Sequence, residues 1–191
     1  MNKKQSKALL LNNLYAPYKK CSPCPLALQT QHNFVCGHGN PDTKLMLIGE
    51  APGQHEDQLG LPFVGKSGTL LTKALACLGI ERKEIFITNI VKCRPTNNRK
   101  PTTKESKTYK DLFLLKEIEI IKPTVICTLG ATALEGLIEA PVKMGEMHGK
   151  PLTFGNTILI PTFHPAYILR DPRKFNEWLT DLQKAWTLAH D

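Results

Sequence analysis

Three residues with side chains suited to base recognition or hydrolysis follow short apolar segments of the chain: Glu50, Asn89 and His164. A carboxylate can position water or stabilise a cationic sugar, and an imidazole can donate a hydrogen bond to an oxygen that gains negative charge. An amide can donate to a carbonyl oxygen of a pyrimidine and accept from its ring N–H. Together these groups suit a site that binds a nucleobase.

Residues 47–68, LIGEAPGQHEDQLGLPFVGKSG, supply further groups around Glu50. The apolar start turns abruptly at Ala51-Pro52-Gly53 and continues through acidic residues to Phe63. A Pro/Gly turn that carries carboxylates and an aromatic ring suits the wall of a pocket for a flat, polar ring, on which Phe63 can stack. Taken singly, Phe63 is equally well a core residue, Asn89 a turn cap and His164 a structural histidine.

Four apolar runs rich in Ile, Val and Leu predict the strands that position these side chains. Their low polar content is typical of parallel strands covered on both faces. The runs are 45–49, 85–88, 125–129 and 157–161. Helical patterns occur at 6–16, 68–78, 104–121, 131–137 and 172–189. The alternation predicts an α/β fold of three layers, in the order helices, sheet, helices (αβα), with a central, mainly parallel four-stranded sheet.

Ligands of such sheets bind beyond the carboxyl ends of the strands, which is where Glu50, Asn89 and His164 lie. Their joint placement favours a functional site over three unrelated structural roles. We therefore expect the three side chains to meet in one cleft.

The 191 residues suit a single domain, 1–191, on which an N-terminal helix and a CxxC loop within residues 1–40 pack. The net charge of +8 and the pI of about 9.2 favour a polyanionic partner, most commonly nucleic acid. We expect neither a signal peptide nor a membrane span, and the six cysteines do not resemble a secreted disulfide framework. These features predict a reducing, cytoplasmic location.

Three separated motifs resemble those of the type-4 uracil-DNA glycosylases. They are GEAPGQHEDQLGLPFVGKSG at 49–68, ITNIVKCRPTNNRKP at 87–101 and HPAYILR at 164–170. The resemblance extends over nearly the whole chain, and it includes the Cys21-Ser-Pro-Cys24 motif near its start. It implies hydrolysis of the N-glycosidic bond of deoxyuridine in single- or double-stranded DNA by a monomer, through a base-excision repair reaction.

The resemblance also assigns roles to individual residues. Glu50 lies in the water-positioning loop, in which Ala51 belongs to the substrate-binding residues. Glu56 lies where the family excludes the thymine methyl group, and Phe63 stacks on uracil. The two remaining roles fall to Asn89, which distinguishes uracil from cytosine, and to His164, which contacts uracil O2 and stabilises the leaving anion.

A glycosylase must extrude its target base, and an apolar side chain usually fills the gap. Ile168 is our first candidate for this wedge and Leu169 the second; the less favoured alternative is that both residues start the last helix and pack inward. Cations near the cleft are candidates for phosphate contacts. These are Lys66, Lys92, Arg94 and Arg170. The polar loop 97–101 is interpreted either as a plain connection or as a DNA contact.

Cys21, Cys24 and Cys93 resemble the family's ligands for a [4Fe–4S] cluster, which needs four. The family's fourth cysteine lies about sixteen residues past the third, where this chain has Tyr109 or Lys110. Three outcomes stay open. The cluster is retained with Asp111 or another non-cysteine ligand, it is a three-iron form, or it is lost and leaves free thiols or a zinc site. We favour a retained cluster with a structural role.

Two other classes of function compete with the glycosylase. One is a relative that binds uracil-DNA without cleaving it or that traps the product covalently on a histidine. Trapping relatives carry a basic insertion near the HPxxxxR motif, whereas residues 141–156 here read as a short loop with His148 in a turn. The other class, a small-molecule hydrolase or deaminase, would need metal ligands near the cleft, and the sequence suggests none.

Overall fold

A six-stranded sheet forms the centre of the fold in the computed structural model, which describes residues 6–18 and 33–191. In chain order, the strands are β1 (His38–Gly39), β2 (Leu45–Gly49), β3 (Phe86–Asn89), β4 (Val125–Leu129), β5 (Leu152–Phe154) and β6 (Thr157–Thr162). They are arranged in the order β1-β3-β2-β4-β6-β5. The four central strands are parallel, with Leu47 opposite both Ile87 and Cys127. The predicted α/β class and its four parallel strands are confirmed.

Two antiparallel edge strands extend the predicted sheet. β1 pairs with β3, and β5 pairs with β6 as a hairpin. Their sequences gave no strand signal, because β1 has two residues and β5 is only half-buried. Residues 141–156, which we expected to be a loop, instead contain a short helix and all of β5.

Helices cover both faces of the sheet. The helices are α1 (Lys7–Tyr15), α2 (Gln54–Leu59), α3 (Lys66–Cys77), α4 (Thr103–Tyr109), α5 (Leu115–Ile121), α6 (Ala131–Ile138), α7 (Met144–Met147), α8 (Pro165–Arg170) and α9 (Phe175–His190). The sequence patterns missed α2, α7 and α8, each of which has six residues or fewer. Among the described residues, no helix combines the length and the apolar character that crossing a bilayer requires.

Alternate residues of the central strands pack into two separate cores. On one face, Leu47 and Cys127 lie against apolar residues of α3 and α9, including the fully buried Trp178. On the other face, Ile48 and Ile126 lie against α1, α6 and the segment that contains α4 and α5. This two-sided burial explains why the strand sequences lack polar alternation.

A π-helical segment, Lys110–Leu114, joins α4 to α5. The buried residues of this long helix include Ser106, Lys110 and Leu114 together with a set that recurs every four positions: Glu105, Tyr109, Phe113, Glu117 and Ile121. This set forms a single stripe that faces the sheet. The predicted helix over 104–121 is therefore correct in extent, although its backbone is not α-helical throughout.

A buried ion pair connects this stripe to the sheet. Lys92 Nζ lies 2.7 Å from Glu117 Oε1, and both side chains are fully buried. The ammonium also donates to the backbone oxygen of Asn89, at 2.9 Å, and to the hydroxyl of Thr88. Tyr15 of α1 donates its hydroxyl to Glu117 at 2.6 Å. The network thus links α1, α5 and the carboxyl end of β3.

Burial sets the protonation preferences within this network. Desolvation lowers the pKa of Lys92, although the charge of Glu117 opposes that effect. Desolvation and the adjacent carboxylate both raise the pKa of Tyr15, so the phenol stays protonated and acts as a donor. The prediction that Lys92 contacts DNA phosphates is wrong, because its ammonium is enclosed and fully hydrogen-bonded.

We expect Lys92→Met to lower the free energy of unfolding by about 3–5 kcal/mol, because it leaves the carboxylate of Glu117 buried without its cation. The double variant Lys92→Met/Glu117→Leu should lose less than the sum of the two single variants. Urea unfolding of the four proteins measures this coupling. Strictly additive losses would show that the two groups do not depend on each other.

Candidate active site

A cavity of about 330 Å³ opens at the carboxyl edge of the parallel sheet. The residues that line it come from the segments after β2, β3 and β6 and from the loop before α3. They are Glu50, Ala51, Pro52, Gly53, Glu56, Phe63, Ser67, Asn89, Pro95, Asn98, Arg99, His164 and Ala166. The structure therefore brings Glu50, Asn89 and His164 together, as their positions after three strands predicted.

Asn89 presents an acceptor without a partner. Its side chain is 2% exposed, and its Oδ1 has no hydrogen-bond partner among the described residues. A buried polar atom without a partner costs about 1–3 kcal/mol. A ligand that donates a hydrogen bond to Oδ1 recovers this free energy. The buried ammonium of Lys92 donates a hydrogen bond to the Asn89 backbone oxygen, and this contact fixes the position of the end of β3.

Phe63 forms the aromatic wall of the cavity. Its ring is buried, and its centroid lies 5.9 Å from that of the His164 imidazole. A methyl group on Gly49 would collide with the Phe63 ring and with Asn89 Oδ1, so glycine at the end of β2 is needed for this packing. Phe63 itself has a φ of 53°, a left-handed conformation that is unfavourable for an aromatic residue.

Glu56 holds the Phe63 loop in this conformation. Its Oε1 accepts hydrogen bonds from the backbone N–H groups of Val64 and Gly65 at 2.8 and 2.7 Å. Its Oε2 accepts from the backbone N–H of Gly53 at 3.1 Å. One carboxylate therefore joins the turn after β2 to the loop after Phe63. Sequence patterns predicted a wall residue here, and the structure adds this anchoring role.

His164 is held as a neutral imidazole with a defined tautomer. Burial, and secondly the charge of Arg170, lower the pKa of His164 to about 4. The backbone N–H of Ala166 donates to His164 Nδ1 at 3.1 Å, so Nδ1 is an acceptor. In a neutral ring the proton then lies on Nε2. His164 can consequently donate one hydrogen bond from Nε2 without carrying a positive charge.

Glu50 and Ala51 form the wall next to Asn89. Both residues are half-buried and line the cavity. The Glu50 backbone oxygen accepts a hydrogen bond from the backbone N–H of Val91 at 3.2 Å, and this bond ties the end of β2 to the segment after β3. A carboxylate in this position can orient water or stabilise positive charge within the cavity.

The loop after β3 contributes three residues to the cavity wall, to which the motifs gave no role in the pocket: Pro95, Asn98 and Arg99. Asn97 and Asn98 both have φ values near +55°, at 54° and 56°, which asparagine tolerates better than most residues. Arg94 Nε donates to Asn98 Oδ1 at 2.8 Å. Arg99 forms two hydrogen bonds with Glu105, and these lower the pKa of that carboxyl to about 2. The Asn-Asn pair was the sequence signal for this loop.

The other predicted DNA-contact residues differ in exposure. Lys66 at the start of α3 is exposed, as are Leu169 and Arg170 in α8. Arg94 is half-buried in its contact with Asn98. These four side chains lie in segments that border the cavity.

The structure corrects the order of the two wedge candidates. Ile168 is 2% exposed and belongs to the apolar core beneath α8, whereas Leu169 is 47% exposed. Adjacent residues of an α-helix point about 100° apart, so only one of the pair can face the core. Leu169, our second candidate, is the one that is accessible.

The predicted cluster ligands are only partly described. Cys21 and Cys24 lie outside the described residues. Cys93 is buried in the core that faces α1, and so is Tyr109, one of the two residues predicted to stand at the family's fourth cysteine position. Asp111, the proposed alternative ligand, is exposed. No group of three potential metal ligands occurs in residues 6–18 and 33–191.

The remaining cysteines differ in their surroundings. Cys127 is buried in β4, where desolvation raises the pKa of its thiol. Cys77 is exposed at the end of α3, and Cys36 is half-buried before β1. Cys127 therefore has the burial of a small apolar core residue.

The sequence model of the uracil DNA glycosylase superfamily matches residues 36–187 of the chain. A type-4 uracil-DNA glycosylase of Thermotoga maritima is 47% identical over 173 residues, which cover 87% of this chain and 88% of that protein. A second type-4 enzyme, from Pyrobaculum aerophilum, is 40% identical over 180 residues, or 90% and 91% of the two chains. A type-5 uracil-DNA glycosylase of the same organism is 27% identical over 145 residues. The resemblance drawn from the motifs is confirmed.

We expect His164 to remain neutral down to about pH 4, whereas a histidine with the ordinary pKa of 6.5 would become protonated below pH 6.5. Below pH 6.5 the unfolded chain binds a proton that the folded chain excludes, so this contribution to stability, complete above pH 6.5, is lost as the pH falls towards 4. NMR titration of the imidazole tests the prediction. Arg170→Gln should raise the pKa of His164, whereas Lys83→Gln, at the opposite edge of the sheet, should not. A His164 titration near pH 6.5 would contradict it.

Proposed function

Because the chain belongs to the uracil-DNA glycosylase superfamily, we propose that it hydrolyses the N-glycosidic bond of deoxyuridine in DNA and leaves an abasic site. The observation that carries this proposal is the unpartnered, buried Oδ1 of Asn89 in a cavity that also contains Phe63 and His164. The cavity offers an acceptor, an aromatic wall and a neutral donor. An extruded uracil can use all three.

Uracil recognition is assigned to the amide of Asn89. Its Oδ1 accepts from uracil N3–H, and its amide N–H donates to uracil O4. Cytosine presents an acceptor at N3 and a donor at N4, so neither interaction forms with this orientation of the amide. The close contact of Asn89 with Gly49 supports a fixed orientation. Selectivity then follows from the loss of both bonds with the wrong base.

Phe63 and Glu56 define the remaining shape of the pocket. Phe63 stacks on the base, since every base has a π-face that an aromatic ring can cover. Glu56 forms the wall against which a 5-methyl group would press. Its three backbone hydrogen bonds support this role, because moving the carboxylate to admit thymine would break them.

Departure of the base requires stabilisation of negative charge on uracil. His164 is suited to this as a neutral donor from Nε2, because a hydrogen bond to O2 strengthens as that oxygen becomes anionic. The depressed pKa of His164 supports a role as hydrogen-bond donor rather than as general acid. Glu50 orients the attacking water and stabilises the cationic character that develops on the sugar.

DNA binding is assigned to the rim of this cavity. Leu169 is the proposed wedge that replaces the extruded base, since its exposure supports a role that Ile168 cannot fill. Lys66, Arg94 and Arg170 are proposed to contact backbone phosphates, which gives salt-dependent affinity without sequence preference. We propose that residues 1–191 form one domain that acts as a monomer.

A covalently trapping or non-cleaving relative is the alternative, and the sequence before His164 does not favour it. Residues 141–156 carry α7 and β5 in place of a basic insertion. His148, the histidine in that segment, donates to the carboxylate of Asp181 at a distance of 3.0 Å. This contact supports a structural role for His148 rather than a nucleophilic one.

We further propose that the chain retains an iron–sulfur cluster held by Cys21, Cys24 and Cys93. The burial of Cys93 supports a ligand role, but Tyr109 and Lys110, the two candidates for the fourth family position, are both buried and neither is a cysteine, so a four-thiolate set does not fit. The exposure of Asp111 gives it little support as a replacement. When bound, the cluster would order the loops around it, because glycosidic hydrolysis transfers no electron. No step of the reaction depends on it.

We expect the protein to release uracil from a uracil-containing oligonucleotide, which alkali then breaks at the abasic site. His164→Ala should reduce the rate by about 10²–10³-fold, by analogy with loss of one oxyanion donor. Asn89→Asp should weaken the preference for uracil over cytosine. Normal cleavage by both variants would show that the assigned pocket is wrong. A product that stays bound to denatured protein would favour the trapping alternative.

The cluster proposal predicts that Tyr109→Cys, which restores a fourth thiolate, increases the iron and sulfide content of protein kept in air. Cys93→Ala should reduce both, whereas Cys77→Ala, at an exposed helix end, should change neither. Visible absorbance together with iron and sulfide analysis, of protein that is purified anaerobically and then exposed to air, gives the measurement. Wild-type protein that is folded and active without iron would refute the proposal.

A further inference from the structure

A second cavity, of about 440 Å³, adjoins the proposed uracil pocket. The two cavities share His164, and both lie at the carboxyl edge of the sheet. The second is lined by the start of α6, by α7 with the following His148, by Phe163 and by α8. The proposed reaction at deoxyuridine leaves this cavity without a role.

Three adjoining rings form one wall of the second cavity. The ring centroids of Phe163 and Tyr167 are 5.1 Å apart with an interplanar angle of 25°. Those of His148 and Phe163 are 4.5 Å apart with an angle of 37°. Phe163 is buried, whereas Tyr167 and His148 are half-buried and line the cavity. Half-exposed rings of this kind provide a surface on which a nucleobase can stack.

A buried carboxylate holds His148 in this wall. Asp181 accepts hydrogen bonds from the Thr162 hydroxyl at 2.6 Å and from His148 Nδ1 at 3.0 Å. Because a carboxylate only accepts, Nδ1 of His148 carries the proton. Asp181 is itself buried, so its charge is directed towards these donors rather than towards the cavity. The wall is therefore set before any ligand binds.

Two cations border the same cavity. Lys174 is paired with Glu177 at 2.8 Å, whereas Arg170 makes no ion pair with any residue of the described chain segments. Arg170 is exposed, and it follows the exposed Leu169. A guanidinium next to an aromatic wall matches the two parts of a nucleotide, since the phosphate carries the charge and the base the flat apolar faces.

We propose that this cavity binds the nucleotide next to the extruded deoxyuridine in the same strand. Its base lies against the wall that Tyr167 and His148 form, and its phosphate contacts Arg170. The proposal rests on the glycosylase function and extends it from one nucleotide to two. An adjacent nucleotide can enter the cavity at the lowest cost in free energy when its base is already unpaired. The subsite therefore contributes chiefly to the binding of single-stranded DNA.

The test pairs a protein variant with a substrate change. Single-stranded uracil oligonucleotides carry either a normal nucleotide or an abasic spacer on the 5′ or the 3′ side of the deoxyuridine. For the wild-type protein, the spacer on one side should raise KM by about tenfold, which corresponds to the loss of one base stacked on an aromatic ring. For Tyr167→Ala, KM should be raised with the normal substrate, and the spacer should have no further effect.

Two kinds of control separate the subsite from general damage. Tyr167→Phe retains the ring and should retain the sensitivity to the spacer. Lys83→Gln and Trp186→Ala remove an exposed cation and a half-buried aromatic ring from the opposite edge of the sheet, and both should behave as wild type.

Equal spacer effects in wild type and Tyr167→Ala would overturn the subsite while leaving the glycosylase function intact. The subsite would likewise be overturned, and the glycosylase function left intact, if neither spacer changed the KM of the wild-type protein. Failure of the wild-type protein to release uracil from any of the substrates would instead overturn the proposed function, and the subsite with it.

Discussion

The enclosed ammonium of Lys92 is the interaction on which the active-site geometry depends. It donates a hydrogen bond to the backbone oxygen of Asn89, the last residue of β3, and its charge is neutralised by Glu117 of α5. Removing such an ion from water costs several kcal/mol, and only a complete set of partners offsets that cost. The end of β3, which carries the Asn89 amide, is therefore positioned by a charge network in the core.

The central strands could be predicted from the sequence because parallel strands buried on both faces need continuous apolar runs. The order of motifs along the chain also indicated which strand ends border the cavity. The edge strands and the three shortest helices could not be predicted, since each depends on the elements it pairs with or packs against rather than on its own pattern. The hairpin of β5, for example, is defined by its pairing with β6.

For the site, residue type and position at a strand end were sufficient to predict that Glu50, Asn89 and His164 line one cavity. The same reasoning failed for Lys92, because its partner lies 25 residues away and nothing local indicates that the two meet. Ile168 was ranked above Leu169 for a similar reason: both are apolar, and only the orientation of α8 decides which faces outward. The anchoring by Glu56 was likewise hidden, since its partners are backbone groups that carry no sequence signal.

The π segment Lys110–Leu114 sets the rotational phase of the long helix. Residues of an α-helix turn by about 100° each, so residues four apart drift by about 40° around the axis. A turn with i→i+5 hydrogen bonds rotates less per residue and reverses this drift. Tyr109 and Glu117 consequently share one face although eight positions separate them. The π segment thus takes up one residue more than an ordinary α-helix would need, because seven positions, or about two α-helical turns, would also place the two side chains on one face.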